Sequence, residues 1–131
     1  MTKPTDAGRQ SLLSAFRNAF VGIGDFARER NSGIQLVAAI FAMTLAAVLR
    51  IGGGEWAVLV VMIAVVLTAE AMNCAIERVV DLASPGHHEL ARQAKDMAAG
   101  AVLIASIAAA VVGAIIFGPR LIALVRLSGS H

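Results

Sequence analysis

Glu70, Asn73, Glu77 and Asp81 stand at i, i+3, i+7 and i+11. At about 100° per residue a helix gathers them within roughly 80° of one another. The uncharged run AVLVVMIAVVLTA, residues 57–69, leads directly into them. A carboxylate at the centre of a membrane helix costs about 2.5–3.5 kcal/mol, so intramembrane acids are functional candidates by default. Three on one face ask for a partner: a cation, a metal-bound phosphate, or protons. About 20 Å of apolar helix precedes Glu70, which places it near the inner boundary of the hydrocarbon, with Glu77 and Asp81 about 10 and 16 Å further toward the cytoplasm. A partly desolvated carboxylate at lipid depth suits taking a proton from a lipid hydroxyl. Carboxylates at headgroup level suit a hard divalent cation that carries phosphates. Lys95-Asp96 adds a lysine point charge of the kind used beside phosphates, and Glu29 adds a carboxylate at the mouth of an earlier apolar run. Each has a plain alternative: Lys95 snorkelling, Glu29 pairing with Arg28 or Arg30, Asp81 ending a helix. Spacing alone leaves three readings open: a phosphoryl-transfer site, a cation or proton transport site, and structural pairing.

The elements that must position these groups are legible in the hydropathy. The chain has 131 residues, 58% hydrophobic and 15% charged, with a mean hydropathy of +0.77. That places it in the membrane class, as a single domain over 1–131. Leu36 to Leu49 and residues 57–69 carry no charge, and Met97 to Phe117 is an uncharged run of 21 residues. The third alone spans roughly 30 Å of hydrocarbon; the second does so only if its helix continues through Glu70 toward Asp81. The expected architecture is all-α, with membrane helices at about 34–51, 56–81 and 97–117.

Charge distribution sets the orientation. Lys3, Arg9, Arg17, Arg28, Arg30, Arg78, Arg92 and Lys95 fall on one side of the spans, against Arg50, Arg120 and Arg126 on the other. Eight against three puts the N-terminus and the second loop in the cytoplasm, where ATP is. A net charge of +2 is too slight to argue for nucleic acid. The first thirty residues show no secretory signal pattern, so insertion is expected to rely on the spans themselves. The single Cys74 excludes an internal disulfide and reads as a small packing residue.

Residues 1–10 are expected to be unstructured. From 11 to 30, Leu12, Leu13, Phe16, Phe20, Ile23 and Phe26 recur at three- and four-residue intervals between polar groups, the pattern of an amphipathic helix lying in the membrane interface. Gly52, Gly53 and Gly54 read as a turn followed by a Trp56 anchor; no Gly-x-x-x-x-Gly-Lys-Ser/Thr phosphate loop exists. Ser84-Pro85-Gly86 breaks the second span's helix. His87 and His88 lack a further zinc ligand set and read as a solvated loop near a nucleotide. Of residues 97–117, eleven are Ala, Gly or Ser, a composition that lets membrane helices approach closely and favours packing against copies of the chain.

The stretch EAMNCAIERVVD, residues 70–81, followed by HELARQAKDMAAGAVL, residues 88–103, resembles the prokaryotic diacylglycerol kinase and undecaprenol kinase family. The pattern E-x-x-N-[ST]-A-I-E-x-x-x-D, then A-K-D and a small-residue helix, carries the resemblance over about residues 11–118. Ala15-Phe16 and Glu29-Arg30-Asn31 are similar to the undecaprenol kinase branch; His88-Glu89-Leu90 and Ala94 to Met97 are similar to the diacylglycerol kinase branch. Cys74 replaces the usual Ser or Thr. Gly33 stands where undecaprenol-type members tend to have Arg, and Gly22 to Glu29 is one residue shorter than usual.

The resemblance implies a homotrimer of three-span protomers, each with an interfacial helix and sites shared between subunits in the inner membrane. It implies ATP-dependent phosphorylation of a lipid hydroxyl, of undecaprenol or diacylglycerol. Glu70 would be the base and, with Asp81, would meet the lipid. Asn73 would orient reacting groups, and Glu29 and Glu77 would hold Mg²⁺ on the ATP phosphates. Lys95, Asp96, Gly86, His87 and His88 would contact nucleotide, with Arg17 as a further N-terminal contact. The rival class is a small proton- or cation-coupled transporter, which needs its carboxylate at the midplane with access from both sides. Here the acidic stripe runs on to the cytoplasmic face and meets Lys95-Asp96.

Overall fold

The computed structural model describes residues 12–128; the stretch 1–10 and the cations Lys3 and Arg9 lie outside the described residues. Four helices follow one another with no strand among the described residues: α1 (Leu12–Ala27), α2 (Arg30–Val48), α3 (Gly53–Ala83) and α4 (Glu89–Ser128). The last three are long and apolar enough to cross a membrane, which makes this an all-helical, multi-pass membrane protein.

α1 carries its apolar residues on one side, as the periodicity predicts, but buries none of them; Leu12 and Leu13 are each 80% exposed. It ends in a tight turn, where the Arg28 and Glu29 N–H groups donate to the carbonyls of Asp25 and Phe26 at 3.3 and 3.0 Å. Glu29 is extended and caps α2 through its carbonyl, which accepts from the Gly33 N–H at 3.1 Å. Its side chain makes no capping bond and is left for other use.

The C-terminus of α2 closes with two reversed bonds, Arg50 N–H to the Ala47 carbonyl and Ile51 N–H to the Ala46 carbonyl, both 3.2 Å. This is the Schellman arrangement, which needs a left-handed residue just past the cap. Arg50 takes that position with φ 49°, where glycine is the usual choice. Gly52 then caps α3, and the turn expected over three glycines is shorter than that: Gly53 and Gly54 are already helical. Glu55 reaches back to accept from the Gly52 N–H at 2.7 Å.

α3 and α4 pack along their lengths, while α2 touches α3 more sparsely. At about 46 Å, α3 outruns the roughly 30 Å hydrocarbon layer by three turns. α4 extends beyond the apolar run 97–117 at both ends and passes through Pro119 without stopping. Arg120 sits beside that proline, donates to the Ile116 carbonyl at 2.7 Å, and grips both carboxylate oxygens of Glu55 at 2.9 and 2.6 Å. They lie next to the turn in which proline has removed one backbone donor. The same end contains the apolar core of Ala46, Ile51, Leu59, Ile116 and Phe117. The acidic stripe lies at the other end.

Candidate active site

The buried seam of α3 is Leu59, Val66, Glu70 and Asn73. These positions share one helical face, so the seam changes from apolar to polar without changing direction. Glu70 is 4% exposed and Asn73 5% exposed in the single chain. The acid therefore faces into the bundle rather than into lipid. α4 approaches through small residues, Ala98 and Ala105, which are buried. Beside the apolar part of the seam lies a cavity of about 220 Å³, lined by Gln35 and alanines of α2, by Val66 and Leu67 of α3, and by Ser106 and Gly113 of α4. Its lining ends one helical turn from Glu70.

Around Glu70 the polar groups are incompletely paired. The Asn73 side-chain amide donates to Glu77 at 3.3 Å, but its carbonyl oxygen is buried without a partner among the described residues. Ser32, from the first turn of α2, is fully buried. Its hydroxyl lies against the Cys74 thiol yet meets no oriented hydrogen-bond partner among the described residues. Cys74 also lies within electrostatic reach of Glu70, Glu29 and Glu77. Glu29 reaches across to Arg78 on α3, while Arg28 holds Asp25 at 3.5 Å; the alternative pairing with Arg30 lies outside the described side chains.

The second group stands one to two turns further on, where α3 ends and α4 begins. Lys95 donates to Asp81 at 2.5 Å. Together with Ser84, Gly86, His87, His88 and Arg92 they line a pocket of about 300 Å³. His88 is the N-terminal cap of α4: its carbonyl accepts from the Arg92 N–H at 3.1 Å and its Nδ1 accepts from the Leu90 N–H at 3.2 Å. Asp96 is held by Arg92 at 2.6 Å, as is Glu89. Arg17 is exposed on α1 and lines none of the pockets described here. No cluster of three His, Cys, Asp or Glu side chains close enough to hold a metal occurs among the described residues.

Sequence spacing points to one stripe, Glu70, Asn73, Glu77 and Asp81, with Lys95-Asp96 beside it; in the structure Asn73 meets Glu77 and Lys95 meets Asp81, while Asp96 is held by Arg92. Ser32, Arg78 and Arg92 were not singled out for the site. Ser32 had a faint signal, a small polar residue three after Glu29 at the head of an apolar helix. Arg78 had one too, directly after Glu77 and inside the acidic stretch.

Comparison with known proteins adds a family. A family model described as prokaryotic diacylglycerol kinase matches residues 17–117. A diacylglycerol kinase of Synechocystis sp. is 41% identical over 116 residues, 87% of this chain and 66% of that protein. An undecaprenol kinase of Bacillus subtilis is 36% identical over 111 residues, 84% of this chain and 90% of that protein. A diacylglycerol kinase of Escherichia coli is 39% identical over 75 residues, 57% of this chain and 62% of that protein. The match thus spans just under two thirds of the Synechocystis and E. coli proteins and nine tenths of the B. subtilis one.

Proposed function

The chain belongs to the prokaryotic diacylglycerol kinase family, and from that premise we propose that it phosphorylates the hydroxyl of a membrane lipid, with ATP as donor, at the cytoplasmic face of the inner membrane. The observation that carries the reading is Glu70: a carboxylate buried in the helix bundle, one turn from the lining of an apolar cavity and on the same helix as a charged pocket lined by Asp81, Lys95 and Arg92.

In this reading the lipid enters sideways from the bilayer and the nucleotide enters from the cytoplasm. The lipid oxygen forms a bond to the γ-phosphorus as the bond to the ADP oxygen breaks, and Glu70 takes the hydroxyl proton. Asn73, one turn from Glu70, orients the hydroxyl and steadies Glu77. Lys95, already in the pocket, neutralises phosphate charge, and Asp81 holds that lysine near the lipid headgroup. Gly86, His87, His88 and Asp96 stand where they would border the nucleotide, and Arg17 would reach it or the lipid from α1. Mg²⁺ fits the donors available: Glu29, Glu77 and the unpartnered Asn73 carbonyl are all hard oxygens. A magnesium site uses one or two carboxylates and leaves the remaining positions to phosphate and water. When bound, the ion draws charge off the phosphates. A homotrimer with shared sites accounts for the small-residue face of α4 and for the broad exposed apolar surface of the single chain.

Glu29-Arg30-Asn31 favours undecaprenol over diacylglycerol. Incubating the purified protein with labelled ATP and both lipids tests the whole reading. Label on undecaprenol is the expected result and label on diacylglycerol corrects the substrate. Proton flux without ATP consumption would move the acidic stripe to a transporter.

A further inference from the structure

Glu29 has two claims on it. The proposed kinase reading, on which this inference rests, needs it as a metal ligand, yet in the resting chain it is bound to Arg78. Arg78 follows Glu77 on α3 but points about 100° away from it around the helix, so its guanidinium engages Glu29 alone of the two acids assigned to the metal. Glu29 is the N-terminal cap residue of α2 but spends no side-chain bond on the cap; its carboxylate is directed across the gap instead. Both partners keep much of their surface in water, with side chains 59% and 42% exposed. Exposed pairs of this kind contribute little to stability and separate readily.

A metal-bound nucleoside triphosphate brings both kinds of charge to this point at once. A cation competes with Arg78 for Glu29, and phosphate oxygens compete with Glu29 for Arg78. Exchanging one internal pair for two external ones leaves no charge unmatched. Guanidinium suits the second role, because its planar fork matches phosphate oxygens in a way that an ammonium does not. We propose that the Glu29–Arg78 pair is an exchangeable contact: when the metal-bound nucleotide arrives, Glu29 turns to the cation and Arg78 becomes a phosphate ligand.

Two binding measurements test this without lipid turnover. In Arg78→Ala, Mn²⁺ followed by electron paramagnetic resonance without nucleotide should bind several-fold more tightly, because Glu29 has lost its competitor. In Glu29→Gln, a fluorescent trinitrophenyl-ATP in EDTA should bind about tenfold more tightly, because Arg78 is released to the phosphates. Adding Arg78→Ala to Glu29→Gln should remove that gain, and Arg78→Lys should restore only part of it. If Arg78→Ala does not fold in detergent, the Glu29→Gln and Arg78→Lys titrations still decide. Unchanged affinities in a protein that phosphorylates lipid overturn the exchange and leave the kinase reading standing. Shifted affinities in a protein that phosphorylates no lipid support the exchange and sink the kinase reading.

Discussion

Ser32 has no exposed surface and, among the described residues, no oriented partner for its hydroxyl. A buried polar group left unbonded costs about 1–3 kcal/mol, so Ser32→Ala is expected to stabilise the protein by about 1 kcal/mol, read as a higher midpoint of thermal unfolding in detergent. A lower midpoint would mean that the hydroxyl holds a bond to Cys74 after all. Glu70 is the opposite case, a buried group whose burden the proposed chemistry explains. Glu70→Gln keeps the shape and removes the proton acceptor. It should abolish lipid phosphorylation while nucleotide binding persists, and near-normal turnover would rule Glu70 out as the base. At this scale the spacing was a good guide along one helix and a poor one between helices. Glu70, Asn73 and Glu77 share a face because helical geometry requires it. That Glu29 meets Arg78 depends on how the chain turns between α1 and α2, and no periodicity reports that; the Arg92–Asp96 pair, four residues apart on α4, is one that helical spacing allows.

The helices themselves were legible because hydropathy and the bilayer thickness constrain them together: an apolar run must be long enough, and α3 had to continue through its acids to be so. Their ends were less legible. α4 passes Pro119, and beside it Arg120 makes a side-chain bond to the Ile116 carbonyl and an ion pair with Glu55, a residue 65 positions away. The turn after α2 is built on Arg50 in a left-handed conformation, which costs a residue with a side chain about 1–2 kcal/mol relative to its right-handed form. Arg50→Gly is therefore expected to raise the unfolding free energy by about 1 kcal/mol, measurable by reversible titration with a denaturing detergent. No gain would show that the arginine side chain offsets the backbone strain by a contact of its own.

Across the molecule, packing and chemistry are segregated. Ala46, Ile51, Leu59, Ile116 and Phe117 form the core at one end, with the Glu55–Arg120 pair beside them, and the acids lie about 22 Å away along α3. Amide hydrogen exchange should follow this division. Backbone around Leu59 and Ile116 should be the slowest to exchange and the first turns of α2 markedly faster; equal rates would contradict it. The far end then acts as a fulcrum. Among the described residues α2 joins the apolar core there and meets its neighbours near the acids through Ser32 and one exposed pair, so its inner half is a lever whose tip carries Glu29. Loosening the fulcrum, as Arg120→Leu would, should blunt the reach of that tip even though no reacting atom comes near it.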